Sequence, residues 1–212
     1  MYTLDRNAAA KADAGQAQSF IKFSGIYTGK IKSCTLRQSP NGARLVGLHF
    51  VASDGADAKY LELCTHKNDG SEAFGLNMLH SLMWVCKVKA LTPSLAADEN
   101  GKQITVANEL AGKPVIIAMQ AEEYTSRGGQ ARTKMVIKGF FSAEDRKSAS
   151  EQQGNLPANK IQEMEIWLKL NPLKEEYTKK PAKNQAHKTY AANSSASDYM
   201  PPQVDFDDSI NF

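Results

Sequence analysis

Three carboxylates and two aromatic rings stand within the last eight residues, Asp205-Phe206-Asp207-Asp208-Ser209-Ile210-Asn211-Phe212, with no base among them. This chemistry is that of a peptide caught by a basic, pocketed surface on another protein. Phe212 is expected to enter an apolar pocket while its α-carboxylate pairs with Arg or Lys. Asp205, Asp207 and Asp208 would meet the basic rim, and Phe206 and Ile210 would add a second contact. A tail that served solubility alone would need the acids but not Phe206, Ile210 and Phe212.

A second set of residues suits unpaired nucleotide strands, which need cations along the phosphate path and flat rings for the bases. Toward the C-terminal side these are Tyr124, Arg132, Lys134, Lys138 and Phe140, which alternation puts on the outward side of a hairpin whose Met135 and Ile137 face inward, with Arg127 at its tip. Toward the N-terminal side they are Tyr27, Lys30, Lys32, Arg37, Arg44 and Tyr60. Exposed strand lysines also commonly guard sheet edges against pairing, which is the alternative role for each of these. Phe50 shares its face with Val46 and Leu48 and is assigned to the core, as is Trp84 within an apolar helix; Trp167 fits either environment.

Catalytic chemistry finds no comparable footing. His49, His66, His80 and His187 lie in no metal or nucleophile motif, and the spacing of Cys64, His66, His80 and Cys86 fits no usual zinc site. Glu122-Glu123 is an isolated acidic pair, and there is no phosphate-cradling glycine loop ending in Lys-Ser/Thr. The expectation is a non-catalytic protein without metal or cofactor.

The terminal peptide resembles the acidic C-terminal peptide of bacterial and phage single-stranded DNA-binding proteins. That family's common form runs Asp-Phe-Asp-Asp-Asp-Ile-Pro-Phe; Ser209 and Asn211 depart from it here. The resemblance implies a protein that coats and protects single-stranded DNA during replication, recombination or repair, in a bacterial cytoplasm. It also implies partners recruited through the tip: helicases, primases, nucleases or polymerase subunits. Relatives act as tetramers, dimers or monomers, so a homo-oligomer is open. The alternatives are a strand-annealing or recombination mediator, an acidic decoy for host repair enzymes that binds no DNA, and an RNA-binding protein of the same fold.

Composition agrees with a polyanion-binding body. The 212 residues carry a formal charge of +3, and setting aside the three tip aspartates leaves +6 on the remainder. Three cysteines, far apart, form no paired framework and read as thiols of a reducing compartment. No apolar run is long enough to cross a bilayer, and the polar start is no secretory signal.

Five strands must position these residues. They are expected over 20–36, 43–52, 59–65, 115–124 and 131–141, with turns at Ser39-Pro40-Asn41-Gly42 and Ser126-Arg127-Gly128-Gly129-Gln130. Gly25 and Gly29 mark bulges or curvature in the first. A helix over 72–88 follows from Leu76, Leu79, Met83 and Cys86 at helical spacing, and 94–101 reads as a loop. Residues 161–170 fit strand or helix, with composition favouring helix. The class is mainly β: a five-stranded OB-fold-like barrel with a helix between strands three and four. The domains are an arm at 1–19, the barrel at 20–177, a disordered linker at 178–204 and the tip at 205–212.

Overall fold

β1 (Gly25–Gln38) is the hub of the sheet, because both of its edges are used. One edge carries β2 (Arg44–Ala52) from Gly29 to Gln38. The other carries β6 (Pro114–Thr125) from Gly25 to Lys30 and then β5 (Gln103–Ala107) at Thr35 and Leu36. This computed structural model describes residues 20–98, 100–126 and 128–174. The arm at 1–19, Arg127, the linker and the tip, with all residues expected to contact partner proteins, lie outside the described residues.

A Cβ on Gly29 would stand 2.1 Å from the Val51 carbonyl oxygen and 2.7 Å from both the Ala52 Cα and the Phe50 ring. Glycine is therefore required there by close backbone approach. The bulge expected at Gly25 or Gly29 occurs instead at Lys32, where the register steps between Ile31 and Ser33.

β2 places Val46, Leu48 and Phe50 in the core, as their alternation predicts. β3 (Asp57–His66) pairs with β2, burying Leu61 and Leu63. α1 (Phe74–Val85) follows and sinks Leu79, Leu82 and Val85 into the same core. Its Gly75 rides on the Cys64 backbone, where a Cβ would meet the carbonyl oxygen at 2.2 Å.

The expected loop at 94–101 is instead part of a hairpin, β4 (Pro93–Ala97) and β5. Its strands are short and weakly patterned. Tertiary docking of β5 on the free edge of β1 sustains it, and Asp98 accepts the Asn100 and Lys102 N–H groups in its turn.

β6 and β7 (Ala131–Ser142) form the long hairpin read from the sequence. β6 is buried on both faces. Val115, Ile117 and Met119 join the main core, whereas Ile116 and Ala118 belong to a second cluster with Phe141, Ile161 and Leu168. That second face is covered by α3 (Lys160–Leu170), reached through the short α2 (Ala149–Gln153). β8 (Leu173–Lys174) then pairs in parallel with Ala121 and Glu122 of β6.

The fold is mainly β, with three helices among the described residues and an eight-stranded sheet that is antiparallel apart from β8. The sheet is open: among the described residues no ladder joins β3 to β7, so it does not close into a barrel. No helix among them is long and apolar enough to cross a membrane.

Candidate nucleic-acid interface

The outward side of β1–β2–β3 has a half-buried floor of Leu45, Gly47, His49 and Val51 on β2. Lys30, Lys32 and Arg37 on β1 flank it and are exposed. On β3, Leu61 pairs with Leu48 and Ala58 with Phe50, so Lys59 and Tyr60 together face the single residue His49. This bulge puts Tyr60 at φ +63° with 85% of its surface exposed. A positive φ is unfavourable for a bulky side chain, by about 1 kcal/mol or more. The bulge thus holds an aromatic ring in water on β3, across β2 from the cations of β1. Arg37 ion-pairs with Glu62 across the face, which offsets part of its charge.

Beneath this face His49 Nε2 lies 3.2 Å from the Asp57 carboxylate, which is buried. Burial pushes the imidazole below its ordinary value of 6.5; Lys32 and Lys59 act in the same direction, while Asp57 opposes. Below about pH 6.5 the unfolded chain takes up a proton that folded His49 resists, so stability should fall as pH drops through that window. His49→Gln should flatten the slope between pH 7.5 and 5.5, measured by urea unfolding. An unchanged slope would assign it to other groups.

On the β6–β7 hairpin the register sets Tyr124 opposite Arg132 and Glu122 opposite Lys134. The Lys134 ammonium stands 5.8 Å from the centre of the Tyr124 ring and 3.7 Å from Glu122, which Lys174 also approaches at 3.3 Å. Two lysines share one carboxylate and Arg132 is exposed, so the ribbon keeps a positive excess. Tyr124, Arg132 and Lys134 are thus brought together. Lys30, Lys32, Arg37 and Tyr60 form a separate set on the other strands.

Three expected site residues stand elsewhere. Phe140, expected outward, is buried in the main core. Ala118 pairs with Gly139 and Met119 with Ile137, so Lys138 is an extra residue in β7 and the alternation beyond it reverses. Tyr27 packs against the main core and its hydroxyl donates to the Phe23 carbonyl at 2.7 Å, so it does not join Lys30 and Lys32. Arg44 is exposed at the start of β2, opposite Gln38 and on the strand side of Val46, away from the floor.

Trp84 also departs from expectation: it is 48% exposed, and Trp167 is 41% exposed. A signal was present. Trp84 falls at helical spacing from Asn77 and Ser81, the polar side of α1, not from Leu79 and Leu82. Phe23, at 78% exposure, is a further ring that sequence reasoning passed over.

Among the described residues no group of three or more His, Cys, Asp or Glu converges as a metal site. Cys64 instead directs its thiol to the His66 carbonyl, and burial pushes the Cys34 and Cys86 thiols up to about 12 and about 11. No protein-family model matches the chain, and no curated protein matches it.

Proposed function

We propose that this chain is a non-catalytic single-stranded DNA-binding protein that coats unpaired strands and recruits partner enzymes through its acidic tip. The observation that carries the reading is Tyr60, held exposed at a positive φ on β3, with the exposed Lys30, Lys32 and Arg37 two strands away on β1. Bases stack on such a ring without regard to sequence, and the cations follow the phosphates. The Tyr124–Arg132–Lys134 ribbon supplies a second contact of the same chemistry.

The path β3-β2-β1-β6-β7, with α1 between β3 and β6, supports an OB-like reading of the body in which β3 and β7 approach without pairing. On that reading the β4–β5 hairpin is an insertion, and the outward side of β1–β2–β3 is the strand-binding face. The tip residues Asp205 to Phe212 supply the recruiting peptide, as their likeness to the family's terminal peptide implies.

Anisotropy of a labelled oligo-dT, titrated at about 50 and about 200 mM salt, tests this. Binding should be sequence-tolerant and weaken steeply with salt. A stacked base is worth roughly 1–3 kcal/mol, so Tyr60→Ala should weaken binding about tenfold or more. Lys30→Ala should mainly reduce the salt slope, by about one. No binding at low salt would leave the tip as a decoy and end the DNA-coating reading.

A further inference from the structure

α1 and α3 border an open groove of about 1460 Å³ whose floor includes Lys138, Gly139 and Phe140 of β7. Trp84 lines it from α1 and Trp167 from α3, and they are the two tryptophans of the chain. Each leaves nearly half its surface in water. The Lys138 ammonium stands 5.6 Å from the centre of the Trp167 ring, and Lys138 is the extra residue that the β7 bulge pushes out of register.

The charge around the rings has one sign in excess. Five lysines and three carboxylates line the groove. Glu144 is already paired with Lys87 at 2.7 Å, and Asp145 is engaged by the Gln152 amide and the Lys147 N–H. Arg132, Lys134 and Lys138 also follow one another along β7, so the hairpin's cations lead to the groove floor. Flat rings with exposed faces, spaced by cations along an open channel, suit stacked bases with phosphates between them.

The geometry points to this groove as a second segment of the single-strand path. Bases stack on Trp167 and Trp84, with phosphates beside Lys138 and Lys89. This rests on the DNA-coating reading and extends it from the sheet to the helical side of the body.

Because Trp84 and Trp167 are the chain's tryptophans, indole emission reports on this groove alone. Oligo-dT of about 30 nucleotides should quench the emission of the unmodified full chain in parallel with the anisotropy of the labelled oligonucleotide. Trp84→Phe and Trp167→Phe should each remove part of the quench. The double variant Trp84→Ala with Trp167→Ala should weaken binding about tenfold or more. The quench in the unmodified chain needs no variant, so a poorly folded double variant leaves the test intact. If the oligonucleotide binds by anisotropy while indole emission stays constant, the groove is off the path and the DNA-coating reading survives. If neither signal changes, both fail. Quenching by an acidic, Phe-ended peptide but not by oligo-dT would make the groove a peptide site and overturn the proposal.

Discussion

Glu151→Ala should lower the unfolding free energy by about 2–4 kcal/mol. The carboxylate is buried and accepts four hydrogen bonds. One oxygen takes the Ser148 N–H and hydroxyl, each at 2.8 Å, in a capping box that starts α2. The other takes the N–H groups of Asn159 and Lys160 at 2.8 and 2.7 Å, at the start of α3. Burial works to raise this carboxyl, but the donors outweigh it and hold its pKa below the ordinary 4.5.

Alanine leaves four part-buried donors without the carboxylate, each costing up to roughly 1–3 kcal/mol where water does not replace it. It also loosens the anchor of α3, which covers Ile116, Ala118 and Phe141. Glu151→Gln should fall between the two, since its amide keeps one acceptor oxygen but turns an NH2 toward N–H groups. Thermal melting followed by circular dichroism should show a fall of about 5–15 °C for alanine. A shift under about 2 °C would mean that water replaces the carboxylate without loss. Because the folded pKa is depressed, the stabilisation holds above about pH 4.5 and is lost as pH falls through the folded value.

Deleting residues 205–212 should abolish capture of partner proteins while leaving oligo-dT binding equal or tighter. The deleted peptide carries three carboxylates and no base. Its loss raises the net positive charge of the chain and, on the proposed function, would remove an anionic competitor for the DNA-binding cations. Immobilised full-length and truncated chains, exposed to the same bacterial extract, give the capture comparison; anisotropy gives the DNA affinity. Weaker DNA binding after truncation would sink the competition argument. An identical set of captured proteins would sink the recruiting role.

The order of the main strands and α1 was legible in the sequence because apolar alternation over β2, β3 and β6–β7 is long and bounded by strong turns. The core of β2 followed from Val46, Leu48 and Phe50 alone. The β4–β5 hairpin was not legible, since Pro93, Ala96 and Ala97 carry almost no strand signal and Leu95 remains exposed. The part played by the segment after β7 was equally hidden. Its α3 covers a face of β6 that becomes apparent only when both faces of Val115 to Met119 are seen to be buried.

Composition and local pattern, by themselves, determined the mainly β body, the helix after β3 and a terminal peptide whose acids and rings suit capture by a basic pocket. Which rings reach water was decided by tertiary structure. Alternation assigns faces only while strands stay in register, and four irregularities break it: at Lys32, at Lys59 and Tyr60, at Thr65, and at Lys138. The one at Lys138 turns Phe140 inward, whereas Tyr60 keeps the outward side that alternation with Leu61 and Leu63 gives it. The packing of α1 and α3 then leaves Trp84 and Trp167 open on one groove. A bulge forms against a partner strand that no local window contains, so the faces beyond it become readable only once the strands have paired.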